Sequence, residues 1–186
     1  MLGVISSPLA YLASIFFSLY LFIVIARLVF YFQHANFLDP ATQFVVKLTN
    51  PPLKLLQFLP QHLGKIELPC LVFLYLIAIL KMFCLSFLYY HWYSLLAYLI
   101  APLVDCAAHL FNFYFFVVLM YAIMSWVRPA QVHHSVLASL SVPLLKPIRK
   151  IIPTIASFDF SPLILLVLLQ AGYLFFVGLQ SLSESL

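Results

Sequence analysis

In a chain of 186 residues, 66% are apolar and only 8% charged, with a mean hydropathy of +1.13. That balance excludes a soluble globular domain, in which roughly a quarter of residues carry charge, and a disordered chain, which needs low hydrophobicity. What remains is an integral membrane protein with a few spans of about 20 residues each, whose formal charge of +4 bears on its orientation.

Charges mark the boundaries. Residues 1–26 carry none, and Arg27 ends the run; 106–127 and 160–183 are likewise uncharged, between Asp105 and Arg128 and between Asp159 and Glu184. Spans are expected at about 9–31, 106–127 and 161–181. The first run opens without the basic region of a signal peptide and lacks a convincing A-x-A site, so an uncleaved span is expected. Between Glu67 and Asp105, Lys81 allows two readings. One is a helix over about 68–90, with Lys81 snorkelling to the far surface. The other is a short helix to Leu80 followed by a further span. Tyr89, Tyr90, Trp92 and Tyr93 cluster around His91 as aromatics do at a membrane interface, which favours the first. Residues 92–104, interrupted by Pro102, then read as an interfacial or re-entrant connection. The fold class is an all-α membrane protein with four transmembrane helices.

Eight of nine basic residues fall in two stretches: Arg27, Lys47, Lys54 and Lys65, then Arg128, Lys146, Arg149 and Lys150. By the positive-inside rule, loops 33–66 and 128–160 are cytoplasmic and both termini outside. Anionic lipid headgroups would attract such a face at about 1 kcal/mol per residue. Scattered loop cations without a binding module are weak evidence for nucleic acid, which is not expected as a direct partner.

The chain repeats with a period of 92: NPPLKLLQFLP at 50–60 lies over VPLLKPIRKII at 142–152, so Pro51 meets Pro143, Lys54 meets Lys146 and Glu67 meets Asp159. Residues 1–91 form one unit and 105–186 the other, joined by 92–104. Both halves enter from the same side, a parallel repeat. In the second unit Pro147 suits a first helical turn. Arg149 and Lys150 are expected on one side of that short helix and Ile148, Ile151 and Ile152 on the other, so that it lies flat among headgroups. After Pro153, Asp159 or Ser161 can cap the last span, with Pro162 as its first helical residue. Lys54, Lys146 and Arg27 are the available ion partners for Asp159.

The stretch SVPLLKPIRKIIPTIASFDFSPLILLVLL resembles the YggT (YlmG-like) family of small bacterial and plastid membrane proteins. The second unit matches the family pattern specifically, and the first is degenerate. Asn50 and Val142 stand where the family commonly has Glu before Pro. Ala156-Ser157 replaces a Gly-rich turn, and Tyr121 replaces a common Arg that the first unit keeps as Arg27. Tyr31 stands in that unit where the second has Trp126. The resemblance implies a bacterial inner-membrane factor that organises or assembles a membrane complex and is linked to osmotic-stress tolerance, with a protein partner or a second copy. It also implies links with potassium uptake, cell division and nucleoid distribution.

Asp105, His109 and Asn112 share one face of the third span, within reach of Gln170 on the fourth. Two readings follow: a proton or cation path through a channel or transporter subunit, or a helix end in the headgroups, which the cost of burying charge favours. Cys70, Cys84 and Cys106 lack metal or disulfide spacing and read as small hydrophobes. His133 and His134 read as solvated loop residues. No haem ligation, nucleophile–base pair or carboxylate dyad is legible, so neither an enzyme nor a cofactor is expected.

Overall fold

Lipid offers no hydrogen bonds, so a chain this apolar satisfies its backbone within each helical segment, and the computed structural model is helical nearly throughout. It describes residues 2–33, 39–56, 60, 62–63, 66–89, 92–127, 135–151 and 159–184. Among them six helices follow in order: α1 (Leu2–Phe32), α2 (Pro40–Leu53), α3 (Leu68–Tyr89), α4 (Leu95–Val127), α5 (Val136–Ile151) and α6 (Ser161–Glu184). A 3-10 turn, Lys54–Leu56, extends α2, and His62–Leu63 pairs antiparallel with Ile66–Glu67 just before α3. Segments of α1, α3, α4 and α6 are long and apolar enough to cross a membrane. The protein is therefore an all-α, multi-pass membrane protein with four transmembrane helices.

The halves are built alike. α1 packs antiparallel on α3: Tyr20 meets Phe73 edge-on at 6.1 Å, and the Cys70 thiol points at the Val24 carbonyl at 3.6 Å. α4 packs antiparallel on α6: Val118 and Tyr121 cluster with Leu165, Leu166 and Leu169, and further along the Phe111 and Phe176 rings lie 5.3 Å apart. Between halves, the Phe22 ring of α1 meets Phe113 at a tilt (5.1 Å) and Phe116 edge-on (6.0 Å) on α4. Ser14 and Ser18 lie beside His109 and Asn112, whereas Phe30 lies beside Val117 and Met120. Positions advance together on the two helices, so α1 and α4 run parallel, as a parallel repeat requires.

Two expectations change. The break at 92–104 does not occur: Leu95–Val127 is one helix of 33 residues, about 50 Å at 1.5 Å per residue. Ser94 starts it, its Oγ accepting from the Ala97 N–H at 3.2 Å. Pro102 removes only the donor that would have reached the Tyr98 carbonyl. Tyr75 and Tyr98 fasten the proline-containing stretch to α3, donating to the Leu99 carbonyl (3.0 Å) and the Ser86 hydroxyl (2.7 Å). The second change is in α5, which Pro147 does not begin. The helix starts at Val136, with the Ser135 Oγ accepting from the Ala138 N–H at 3.3 Å, and both Pro143 and Pro147 lie inside it. They share its exposed side, where carbonyls that lose a partner can turn outward.

Candidate functional site

α2 and α5 lie against the spans and end at two polar nodes, one in each half. On α2, Thr42, Val45, Thr49 and Leu53 form the buried side, the i, i+3, i+4 spacing of a one-faced helix. Phe44 and Leu48, four apart, make an exposed apolar line, and Lys47 and Lys54 are exposed beside it. On α5, Ala138, Ser141 and Leu145 are buried, while Val142, Pro143, Lys146, Pro147 and Lys150 form an exposed stripe. The repeated motif therefore divides by face: Pro51, Lys54, Pro143, Lys146, Pro147 and Lys150 look outward, and Arg149 turns in.

In the first node Arg27 meets Glu67 through two bonds, Nε to Oε2 at 2.9 Å and Nη2 to Oε1 at 2.6 Å. Its Nη1 also donates to the Thr49 Oγ1 (2.9 Å) and the Asn50 Oδ1 (2.7 Å). One guanidinium thus joins the end of α1, the end of α2 and the start of α3. The Arg27 and Glu67 side chains are only 13% and 15% exposed.

The second node keeps the acid and moves the cation. Asp159 accepts from Arg149, Nε at 2.8 Å and Nη2 at 2.7 Å, so its partner comes from α5 of its own half. The expected partners Lys54, Lys146 and Arg27 are engaged elsewhere or face outward. Arg149 also hydrogen-bonds Tyr121, which by the resemblance stands where the family commonly has Arg. The expectation that Arg149 and Lys150 point the same way fails because a carboxylate and a phenol hold Arg149 inward. Burial opposes ionisation of Asp159, but hydrogen bonds from Ser161 and Arg149 hold its carboxyl below the ordinary range. For Arg149, burial is likewise outweighed by Tyr121 and Asp159, which raise its pKa. The Asp159 Oδ1 accepts the Ser161 backbone N–H at 3.0 Å, so Asp159 caps α6 as expected; Ser161 and Pro162 are buried in the first turn. Ser141, offset by 92 from Thr49, keeps a buried hydroxyl without a hydrogen-bond partner among the described residues.

A third polar group lies well along the spans. Lys81 does not snorkel: its Nζ bridges both oxygens of Asp105, at 3.0 and 2.9 Å, with both side chains nearly buried. His109 Nδ1 lies 2.9 Å from the Asp105 carbonyl and 3.3 Å from its Oδ1. Lys81 is fourteen residues past Glu67 on the α3 side, about 21 Å along the axis at 1.5 Å per residue. That places the cluster within the length that crosses hydrocarbon rather than at a helix end, and Lys81 is what makes burial of Asp105 tolerable. Asn112 and His109 face α1, beside Ser14 and Ser18, on a cleft of about 380 Å³. Gln170 of α6 does not line it.

Thr49 is a node residue that sequence reasoning did not single out, and Asn50, Tyr121 and Lys81 were noticed without the pairings they make here. The 92-residue offset pairs Thr49 with Ser141 and would have drawn attention to both. Cys70, Cys84 and Cys106 are free thiols. No group of three or more metal-ligating side chains converges among the described residues. Lys65, His91, Arg128, His133, His134, Pro153 and Ala156-Ser157 lie outside the described residues.

The CCB3/YggT family model matches residues 6–88 and again 100–180, two regions that correspond to the two halves. The chain is 34% identical over 168 residues to "Uncharacterized protein YggT" of Escherichia coli, covering 88% of this chain and 86% of the relative. It is 32% identical over 167 residues to "Uncharacterized protein in proC 3'region" of Vibrio alginolyticus, covering 88% and 90%. No solved structure matches it. Two family matches over two similarly built halves, with relatives aligned along most of their length, mean that the chain belongs to the CCB3/YggT family.

Proposed function

We propose that this protein is a non-enzymatic factor of the bacterial inner membrane that organises or assembles a membrane complex and contributes to osmotic-stress tolerance. In this reading loops 33–66 and 128–160 are cytoplasmic and both termini lie outside. The observation that carries it is the outward stripe of α5, Val142, Pro143, Lys146, Pro147 and Lys150, anchored from behind by Arg149. α2 presents Lys47 and Lys54 beside Phe44 and Leu48 in the same manner. Apolar side chains next to lysines on a helix held against the spans suit the boundary of an anionic leaflet, where a protein partner or second copy can also dock. The test replaces Lys47, Lys54, Lys146 and Lys150 by Gln and counts anionic lipids retained by the purified protein. It also scores rescue of a deletion strain under osmotic shock. Loss of retained lipid and of rescue is expected at normal membrane yield; unchanged retention and rescue would sink the reading. Orientation is tested by labelling cysteines placed at Ser6 and Ser183 of intact cells, where labelling only after permeabilisation would reverse it.

One observation favours a second reading, a subunit of an ion channel or transporter. Ionisable residues within spans commonly mark ion or proton pathways, and Lys81, Asp105 and His109 form such a cluster beside a mainly apolar cleft that Ser14, Ser18, His109 and Asn112 also line. Replacing Asp105, His109 and Asn112 together by Ala should abolish any flux the protein supports in liposomes. Unchanged flux at normal expression would remove the stripe from such a path.

A further inference from the structure

We propose that the apolar cleft between the two halves, at the starts of α2 and α5, binds a membrane phospholipid with a primary-amine head: one acyl chain lies in the cleft and the ammonium pairs with Asp39. The cleft holds about 470 Å³ and takes its walls from both halves, Phe22 and Phe30 of α1 and Val45 of α2 with Phe113 and Val117 of α4 and Leu140 of α5. Phe44, Phe116 and Met120 also line it and are exposed, so it opens to the protein's surroundings. A space walled by such side chains stays dry, and in a bilayer the apolar material at hand is the acyl chain. A methylene takes up nearly the ~30 Å³ of a liquid water, so the cleft has room for about sixteen of them, as many as one acyl chain carries. A helix about 10 Å across fills roughly 420 Å³ in each turn of about 5.4 Å, so the same space admits only about one turn of a partner helix.

Charge selects the head. Asp39 and Ser135, the residues just before α2 and α5, are the polar members among the described residues of the lining. The Ser135 Oγ is engaged by the Ala138 N–H at 3.3 Å. Asp39 is half-buried, its side chain makes no capping hydrogen bond to α2, and it has no ion-pair partner among the described residues. A carboxylate beside an apolar cleft needs a cation and repels a purely anionic head. An ammonium brings both charge and three N–H donors, whereas a quaternary choline brings charge without a donor. The depth suits such an amphiphile: Phe22 and Phe30 lie on either side of Arg27, where the uncharged run of α1 ends, so the cleft crosses from hydrocarbon toward the headgroups. This site lies apart from the lysine-bearing faces of α2 and α5 and goes beyond the reading proposed for them, because it recognises a lipid of no net charge.

The test is native mass spectrometry of the full-length protein released from vesicles that hold phosphatidylethanolamine and phosphatidylcholine in equal amounts, with identical acyl chains. Neither lipid carries net charge, so the lysine faces do not sort them. A preference of about tenfold for the ethanolamine lipid is expected, the worth of a charge-assisted hydrogen bond that choline cannot make. Asp39→Asn should abolish the preference, and Ala41→Trp, at an exposed position of the lining, should remove the retained lipid. Should either variant not fold, a phosphatidylethanolamine with a photoactivatable chain decides the matter on the unaltered protein, where cross-links should map to Phe44, Met120 and Val136 of the cleft. Equal retention of the two lipids, a preference that survives Asp39→Asn, or retention unchanged by Ala41→Trp would each overturn the proposal. So would cross-links confined to the outer faces of the spans, the pattern expected if a second copy or a partner helix covers the cleft.

Discussion

Replacing Arg27 by Met tests whether the first node holds the amphipathic helix to the spans. Arg27 donates four hydrogen bonds, two to Glu67 and one each to Thr49 and Asn50, with its side chain 13% exposed. Removing one partner from a buried pair costs about 3–5 kcal/mol, most of it from the charge left behind. The Glu67 carboxylate, 15% exposed, would keep neither donor of the guanidinium. Arg27→Met and Glu67→Gln should therefore each destabilise by about 3–5 kcal/mol, with Arg27→Met the worse because it also strips Thr49 and Asn50 of a donor. The double variant Arg27→Met/Glu67→Leu should recover most of the loss, since an apolar pair of similar volume strands no charge. The assay is a denaturing-detergent titration of the purified protein in mixed micelles, followed by helical circular dichroism. Single variants within about 1 kcal/mol of the parent, the range of an exposed ion pair, or a double variant whose loss is the sum of the singles, would refute the reasoning.

The second node offers a repair experiment: Tyr121→Arg alone places a second cation beside Arg149 and should lower membrane yield, whereas Tyr121→Arg with Arg149→Gln restores one guanidinium opposite Asp159 and should regain it. If the double variant is no better than the single one, the nodes are not equivalent. Asp159 has a depressed folded-state pKa, so its contribution is present above the unfolded value of about 3.9 and is lost as pH falls through the lower folded value. Asp159→Asn should accordingly reduce the stability measured at pH 7 and flatten the acid limb of a stability profile below about pH 4, and an unchanged acid limb would count against the pair. At Gly172 an added methyl would overlap the Phe111 ring, so Gly172→Leu should open the α4–α6 contact at a cost of about 1–3 kcal/mol. The same titration checks it, with the open position Gly178 as a control that should tolerate Leu.

Much of the architecture was legible in the chain itself because lipid imposes a strict accounting on the backbone: long uncharged runs must be helices that cross. The runs ending at Arg27 and beginning after Asp159 became α1 and α6, and the 92-residue offset was reflected in two similarly packed halves. Asp159 as the cap of α6 was readable too, since capping is local. What only the tertiary structure decided was how charges find one another. Helical period puts Arg149 and Lys150 on neighbouring sides of α5, but Tyr121 and Asp159, far apart in the chain, draw one of them inward. Lys81 could have snorkelled, and Asp105 could have ended a span, until the packing of α3 on α4 set them within 3.0 Å and made each the reason the other is buried. A proline reads as a break, yet α4 continues through Pro102 because neighbouring groups on α3 and a serine cap hold the turn before it. Those outcomes turn on desolvation and pairing across segments, energies that have no value until the helices are side by side.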